Sequence, residues 1–421
     1  MKEIPSRINV LAGWLENRQK IGTCFFEHTR GNEVVSFMYD SDWLVKYPDF
    51  ELGFDIHPVS SRQYPLQGHS TFGFISDASP DRWGRTLMQR FDKENKVPGK
   101  ISRTLCDSDY LLRVYDRGRQ GGLIFTDDDG YVFSTDNNQI IPPITELRTL
   151  EEIARKIELG NSSSPKWLKE LIAPGSSLGG ARPKANIIDT DGAMWIAKFP
   201  SKYDAYNVGA WEMLSHDLMV LCGIKVSDAK LVNLSEYGST FLTKRFDRYI
   251  NDKGNESRYH FSSAMNFLGR TDNDTIDSSY LDILGLIEKH GGRNADVEIN
   301  ELWNRLIFNI CIGNTDDHLR NHGFIFDGKE WSLSPAYDVN PNPDKMEHSL
   351  CIDFDSKENN LERAFQICGF FRKSKEEAEK SIIFIQKSVE ENWGRLAAKY
   401  GVTNEINYIK DCFNESGRLL F

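Results

Sequence analysis

A dense polar cluster lies between Ile312 and Phe324, in the segment IGNTDDHLRNHGF. Its aspartates, histidines and asparagines could bind a metal ion, carry out acid–base chemistry or form a solvated turn. His318 and His322 do not match the H-E-x-x-H pattern of zinc enzymes, and Arg320 between them is a poor neighbour for a cation. A packed or capping role is the simpler interpretation of both histidines.

Asp316 and Asn321 have the spacing of the aspartate and asparagine in the kinase catalytic loop H-R-D-x-x-x-x-N. In that loop the aspartate accepts the proton of the attacking hydroxyl group. The asparagine carbonyl oxygen binds a Mg²⁺ ion that bridges the phosphates. Since the spacing is common by chance, it predicts a phosphoryl-transfer site only if the remaining parts occur in order.

The remaining parts do occur in order. Asp338 in LSPAYDVNP follows two strand-like segments, where a second metal ligand is needed. Lys198 in MWIAKFP resembles the lysine of V-A-I-K, and Glu212 on the next helix could orient it. A glycine-containing turn, Gly175–Ala185, precedes the lysine strand. Each feature alone has a simpler interpretation as a turn, an edge lysine, a solvated helix residue or a flexible loop, and Ala181 breaks the Walker A pattern.

Together these segments resemble the signature blocks of the HipA family, the serine/threonine-kinase toxins of bacterial toxin–antitoxin modules. The matching blocks are SSLGGARPKA, WIAKFP, TKRFDR, GNTDDHLRNHGF and LSPAYDVNP. The upstream segments SPDRWGR and GRQGGLIF resemble blocks of the N-terminal subdomain of that family. The resemblance covers about residues 7–345 and carries implications for individual residues.

The resemblance implies that Asp316 is the catalytic aspartate and that Asn321 and Asp338 are Mg²⁺ ligands. It also implies autophosphorylation of Ser177, beside a phosphate loop. The ATP-binding residues that it implies, together with the lysine strand and a hinge strand for adenine, are Gly179, Gly180, Ala181, Arg182, Lys184, Lys198, Lys244 and Phe246. The family often has glutamate at the position of Lys244, a change that backbone contacts to adenine would survive.

Two neighbours of these residues are expected to have structural roles. Asp317 and His318 are assigned to the conformation of the loop, with His318 bracing Asp316.

The elements that must position these residues follow from periodicity and turn signals. In the N-terminal part, RINVLAGWL, KIGTCFFEH, EVVSFMYD and GYVFS predict strands. SPDRWGRTLMQRFDKEN predicts a helix with Ser79 as N-cap and Pro80 just inside. The segment TELRTLEEIARKIELG predicts another helix, with a capping box at Thr149 and Glu152 and with Gly160 at its end.

Farther along, ANIID and AMWIAKFP predict a hairpin, and AKLVNL and STFLTKRFD predict two more strands. YNVGAWEMLSHDLMVLCG predicts an amphipathic helix with apolar residues at Val208, Trp211, Leu214, Leu218 and Leu221. Beyond residue 260 the pattern is mainly helical, apart from short strands around 323–333.

These elements predict an α+β fold, and the resemblance implies that it is HipA-like and protein-kinase-like, with two lobes. A β-rich N-terminal subdomain spans residues 1–145. A kinase-like N-lobe with the phosphate loop and lysine strand spans 146–248. A helical C-lobe with the catalytic loop and metal site spans 249–421.

Composition limits the partners. The chain of 421 residues has a net charge of −11, so it is not expected to hold DNA alone. Its seven cysteines lack C-x-x-C spacing, and neither a signal segment nor a membrane span is evident, so a cytoplasmic location is expected. The resemblance implies a small helix-turn-helix antitoxin of the HipB type, with DNA reached only through it.

The function predicted on this basis is ATP- and Mg²⁺-dependent phosphorylation of a protein serine or threonine by a bacterial toxin. A translation factor and an aminoacyl-tRNA ligase are the candidate substrates. Two alternatives remain open: a small-molecule kinase, and a catalytically dead ATP-binding scaffold bound to an antitoxin.

Overall fold

The computed structural model describes residues 5–29, 31–94, 104–134, 141–160, 171, 180–272, 274 and 277–414. Ser176, Ser177 and Gly179, at the start of the predicted phosphate loop, lie outside the described residues.

The described chain mixes strands and helices, which confirms the predicted α+β class. The strands are β1 Arg7–Ala12, β2 Gln19–Thr29, β3 Asn32–Tyr39, β4 Leu123–Thr126, β5 Lys184–Ile188, β6 Met194–Lys198, β7 Ala229–Ser235, β8 Gly238–Lys244, β9 Arg248–Ile250, β10 Glu256–Arg258, β11 His260–Ser263, β12 Gly323–Phe326 and β13 Trp331–Leu333. The helices are α1 Ser41–Lys46, α2 Gly73–Ala78, α3 Arg82–Glu94, α4 Asp107–Arg113, α5 Leu147–Glu158, α6 Val208–Leu221, α7 Ala264–Phe267, α8 Tyr280–His290, α9 Ala295–Cys311, α10 Leu361–Gln366, α11 Lys375–Lys399 and α12 Ile406–Asn414.

The chain forms two compact units. The first comprises Met1–Lys202, Asp247–Asp272 and Ile325–Lys329, and the second comprises Tyr203–Phe246, Asn273–Phe324 and Glu330–Phe421. The prediction of three domains stays a prediction.

An antiparallel sheet in the order β3-β2-β1-β4 organises the first unit. Ile8, Val10 and Ala12 of β1 are fully buried, as expected when alternate side chains of a strand face one core. The prediction of a strand at GYVFS is wrong, because only Val132 bridges to β4. The chain turns at Ser134, where φ is +54° and the hydroxyl donates to a backbone carbonyl, and the fully buried β4 completes the sheet instead.

Helix α3 begins later than predicted, and Ser79 is not its N-cap. Ser79 is extended before Pro80, with φ −95° and ψ 164°, but the helix begins only at Arg82, three residues later. Asp81 takes the capping position, since its Oδ1 accepts a hydrogen bond of 3.0 Å from the backbone N–H of Gly84. The capping box predicted at Thr149 is also wrong, because α5 begins at Leu147 after a 3₁₀ turn.

The predicted hairpin of β5 and β6 is confirmed. The two strands predicted next form β7 and β8, and the structure shows that they pair antiparallel in the second unit. Helix α6 buries Trp211, Leu214 and Leu218, but Leu221 is 44% exposed, and the polar Glu212 and Ser215 are buried too. The helix is therefore enclosed on several sides instead of burying one apolar stripe.

A residue of the C-terminal segment forms hydrogen bonds with the first turn of α6. Glu405 accepts hydrogen bonds from the backbone N–H of Asn207 at 3.1 Å and from the indole of Trp211 at 2.7 Å. The buried helix α9 packs against α8 and α11 and leads into the polar loop. Among the helices in the described part of the chain, none combines the length and apolar character that a membrane crossing demands.

Candidate active site

The polar loop begins with a glycine turn at the end of α9. Gly313 has φ +60°, and a Cβ on it would lie 3.0 Å from atoms of Cys412, so only glycine fits without strain. The side-chain amide of Asn314 donates to Asn309 Oδ1 at 3.0 Å, and the Thr315 hydroxyl donates to a backbone carbonyl at 2.9 Å. These contacts attach the start of the loop to α9 and to the chain beyond it.

Asp317 is the buried centre of the loop. Its Oδ2 accepts hydrogen bonds from Asn309 Nδ2 at 3.1 Å, from His322 Nε2 at 2.8 Å and from the Tyr280 hydroxyl. Burial alone would raise the pKa of Asp317, but the charge and hydrogen bond of His322 and the hydrogen bond of Tyr280 outweigh it, and the pKa lies below its ordinary value. Asp317 therefore stays ionised in the interior, and its hydrogen bonds to buried side chains hold the loop in place.

Asp316 has the opposite environment, because its side chain is exposed. Adjacent aspartates thus divide the loop into an anchored inner face and an accessible outer face. Asn321 is 9% exposed and lies in a 3₁₀ turn, where its N–H donates to the carbonyl of His318 at 2.8 Å. His322 supports Asp317 directly, a contact that the sequence did not predict, and the expected bracing of Asp316 by His318 stays a prediction.

The segment that carries Asp338 is fastened to the loop at two points. The Tyr337 hydroxyl donates to the carbonyl of Arg320 at 2.6 Å, and the N–H of Asn342 donates to the carbonyl of Gly313 at 3.0 Å. Asp338 itself has φ +59°, a conformation that is uncommon for a residue other than glycine and that persists when surrounding contacts fix it. The structure therefore connects the loop that carries Asp316 and Asn321 to the Asp338 segment through hydrogen bonds.

The hinge residues also lie in the second unit. Phe246 packs against Tyr337 with ring centroids 5.5 Å apart, so the end of the predicted hinge touches the Asp338 segment. The Lys244 ammonium lies 3.5 Å from Asp228 Oδ2 at the surface. Glu212 is 5% exposed on α6.

The first unit contains the glycine turn and the lysine strand. Lys184 and Lys198 pair directly across β5 and β6, so both side chains project from the same face. The Lys184 ammonium is buried and lies 3.5 Å from Asp81 Oδ2, and burial raises the pKa of Asp81 to about 6. Gly180 has φ +91°, and a Cβ there would lie 2.9 Å from Lys184 Nζ, so the backbone of Gly180 lies close to this ammonium.

The other turn residues differ in exposure. Arg182 donates to the carbonyl of Phe199 at 3.2 Å, and Ala181 is exposed. The predicted contact of Lys198 with Glu212 stays a prediction, as do the roles of these residues toward ATP.

Sequence reasoning missed several residues that shape the site. The doubled aspartate and the two histidines of the loop were visible signals, but the contribution of Tyr280 comes from 37 positions away. Asp81 belongs to the SPDRWGR block, and its double role as helix cap and partner of Lys184 explains why an aspartate is needed there. The GRQGGLIF and TKRFDR blocks meet where Asp247 Oδ2 accepts from the N–H of Gly121 at 2.7 Å.

A family model settles the relationship of the chain to known proteins. The model of the HipA-like C-terminal domain matches residues 176–393, more than half of the chain. The chain belongs to the HipA family. The predicted family is thereby confirmed.

Two curated proteins of Sinorhizobium fredii are similar to this HipA-family chain. The putative kinase Y4dM is 28% identical over 161 residues, covering 35% of the chain and 37% of the relative. The putative kinase Y4mE is 25% identical over 183 residues, covering 39% and 41%. The chain spans about two fifths of the length of these relatives.

A solved structure extends the likeness to the whole HipA fold. A chain from the complex of the Shewanella oneidensis MR-1 toxin–antitoxin system HipA, HipB and its operator DNA matches with a TM-score of 0.66 at 18% identity, covering 97% of this chain and 95% of that one. The protein therefore has the HipA-like, protein-kinase-like fold predicted from the sequence.

Proposed function

We propose that this protein is an ATP- and Mg²⁺-dependent serine/threonine protein kinase and the toxin of a toxin–antitoxin module. The observation that carries the proposal is the pair Asp316 and Asp317, one exposed and one buried and hydrogen-bonded. A kinase needs a solvent-facing carboxylate on a rigid loop, because positioning and electrostatics supply most of the catalysis.

The two residues proposed as metal ligands fit a magnesium ion chemically. Asn321 and Asp338 offer an amide and a carboxylate oxygen, the hard donors that Mg²⁺ prefers alongside waters and substrate phosphates. When bound, the ion would neutralise charge on the phosphates. The contacts of Tyr337 and Asn342 with the loop hold the Asp338 segment in place before nucleotide arrives.

The protein residues would share the remaining work. Asp316 would orient the substrate hydroxyl and accept its proton, and its exposure leaves room for a protein chain. Lys198, oriented by Glu212, would bind the phosphates of ATP. The turn from Gly179 to Lys184 would cover the phosphates, with Lys184 held by Asp81 as a fixed positive charge, and the hinge from Lys244 to Phe246 would receive the adenine.

Autophosphorylation of Ser177 would switch such an enzyme off. A phosphoserine carries about −1.5 to −2 charges at neutral pH. Beside the triphosphate it would repel ATP, or it would pair with a cation such as Arg182 and draw the turn away from the nucleotide.

The proposed partners follow from the family. The Shewanella HipA chain was solved with HipB and operator DNA, which supports a small helix-turn-helix antitoxin of that type here. The net charge of −11 fits contact with DNA through the antitoxin. The phosphorylated protein would be a cytoplasmic one, such as a translation factor or an aminoacyl-tRNA ligase.

The test is transfer of labelled phosphate from ATP in the presence of Mg²⁺, with and without bacterial lysate. We expect one or a few labelled lysate proteins with the wild type and none with Asp316→Ala, which should still bind ATP because the nucleotide is held elsewhere. Label in small molecules alone would indicate a small-molecule kinase. Absence of transfer by wild-type protein that binds ATP would overturn the proposal in favour of a scaffold.

A further inference from the structure

A cluster of metal-ligand side chains lies in the first unit, among residues that the proposed kinase chemistry does not use. It consists of His28, Glu33 and Cys106, whose donor atoms all lie within 4.8 Å of one another. All seven cysteines of the chain fall within the described residues, and Cys106 is the one that is not buried. The cluster thus places the accessible thiol of the chain beside an imidazole and a carboxylate.

The sheet brings the first two side chains together. His28, near the end of β2, pairs directly with Glu33, near the start of β3. Directly opposed residues of an antiparallel pair place their side chains on the same face, about 4.5–5.5 Å apart at Cβ. The His28 Nε2 to Glu33 Oε1 distance is 3.6 Å.

The start of α4 fixes the carboxylate and the thiol. Glu33 accepts hydrogen bonds from the Ser108 N–H at 3.0 Å and from the Ser108 hydroxyl, and its side chain is 6% exposed. The N–H of Cys106 donates to Asp109 Oδ2 at 2.9 Å, which fixes the backbone that carries the thiol. The Cys106 sulfur lies 3.8 Å from His28 Nε2.

These separations are close to those of a zinc site. Zinc–sulfur bonds of about 2.3 Å and zinc–nitrogen bonds of about 2.0 Å at tetrahedral angles separate sulfur from nitrogen by about 3.5 Å, and nitrogen from oxygen by about 3.3 Å. Movements of a few tenths of an ångström by the exposed His28 would reach both values. The Cys106 sulfur and the Glu33 oxygen lie within 4.8 Å, and rotation of the Cys106 side chain would bring them to the separation of about 3.5 Å that shared coordination needs. The donor set of thiolate, imidazole and carboxylate suits Zn²⁺ and does not suit Mg²⁺ or Ca²⁺, which need oxygen donors.

We propose that His28, Glu33 and Cys106 bind one Zn²⁺ ion, with water in the fourth coordination position. Binding forms one bond from the metal to each side chain, and the Cys106 thiol releases its proton to solvent. The ion links the β2–β3 hairpin to the start of α4 and leaves one position where an external ligand can replace the water. This site does not depend on the proposed kinase activity.

The test is a zinc titration of the full chain after removal of metal with EDTA, in competition with a chromophoric chelator. We expect one zinc per chain, a rise in melting temperature and release of about one proton, seen in the buffer dependence of the binding heat. Cobalt in place of zinc should give thiolate-to-metal charge-transfer absorption. Millimolar Mg²⁺ should not displace either metal.

Cys106→Ser and His28→Ala should each weaken zinc binding at least about tenfold, since loss even of outer-shell support costs that much. Serine is a favoured N-cap, so Cys106→Ser keeps α4 folded and isolates the loss of the thiolate. His57→Ala removes an exposed histidine of the same unit and should bind zinc like the wild type. Equal zinc affinity in wild type, Cys106→Ser and His28→Ala would overturn the proposal, as would a wild type that takes up no zinc at micromolar concentration.

Discussion

At the scale of single residues, the two histidines of the polar loop are only four positions apart in sequence but differ in their contacts. His322 donates to the buried Asp317 at 2.8 Å, whereas His318 Nδ1 has no hydrogen-bond partner within the described residues. The pair therefore offers a matched comparison of a supporting histidine with a neighbouring one.

We expect His322→Ala to lower the free energy of unfolding by about 1–3 kcal/mol, because it removes a donor from a buried carboxylate. Under the proposed function it should also lower kcat more than it raises the KM for ATP, since Asp316 moves with the loop. Urea denaturation and steady-state kinetics measure both effects. His318→Ala is the control, and an equal loss of stability in the two variants would contradict the role given to His322.

His260 provides a pH-dependent term in the stability of the first unit. Its ring is buried and stacks on Trp14 at a centroid distance of 4.8 Å, and burial lowers its pKa from 6.5 to about 3. Between pH 6.5 and about 3, His260 is therefore protonated in the unfolded chain but neutral in the folded chain. This stability is fully present above pH 6.5 and is lost progressively as the pH falls toward 3.

His260→Phe keeps a stacked ring and cannot titrate. Between pH 7.5 and 5.0 we expect the wild type to lose about 2 kcal/mol more than the variant, measured as the difference in urea unfolding free energy. Asp81, with its pKa raised to about 6, works in the opposite direction in both proteins, so only the difference between them reports on His260. Parallel pH profiles of the two proteins would rule out this contribution.

At the scale of elements, the sequence predicts strands and helices better than their ends and partners. Alternation and turn residues located β1 to β3, the β5–β6 hairpin and the strands β7 and β8. Ser79 was wrongly predicted as a cap because Asp81, two residues later, is also a capping residue and is the one that caps α3. GYVFS was wrongly predicted as a strand because the chain turns at Ser134, where φ is +54°. The hydrogen bonds to Asp317 were beyond local reasoning, because Tyr280 reaches it from another helix.

The candidate site divides in the same way. Motif spacing singled out Asp316, Asn321 and Asp338, and in the structure hydrogen bonds connect the two segments that carry them. Pattern could not reveal that Lys184 is buried against Asp81, since that contact joins residues far apart in the chain.

The turn at Gly313 allows a test of how the loop is held. Gly313→Ala must accept both a φ of +60° and a Cβ 3.0 Å from atoms of Cys412. Gly401→Ala meets a φ of +72° but has nothing within 4 Å, so it isolates the conformational strain alone. We expect a loss of about 1 kcal/mol for Gly401→Ala and clearly more for Gly313→Ala, measured by thermal or urea unfolding. Similar losses of stability in the two variants would mean that Cys412 moves away from the added Cβ at little cost.

At the scale of the whole molecule, nucleotide binding should couple to stability. Under the proposed function, Mg²⁺–ATP at millimolar concentration raises the melting temperature, because it binds the folded chain alone. Lys198→Ala should reduce that rise, while Asp316→Ala should preserve it, since Asp316 acts on the chemical step. A melting temperature unaffected by Mg²⁺–ATP in the wild type would count against ATP binding altogether.

The contact of Glu405 with Trp211 has a consequence for the making of the protein. The two residues are 194 positions apart, and a ribosome adding about 5–20 residues per second needs roughly 10–40 s to cover that distance. During that interval the nascent chain contains α6 but not the Glu405 carboxylate that accepts hydrogen bonds from Asn207 and Trp211. Messages truncated before codon 405 would therefore yield fragments in which the buried indole of Trp211 has lost its acceptor, and such fragments are natural targets for cellular proteases.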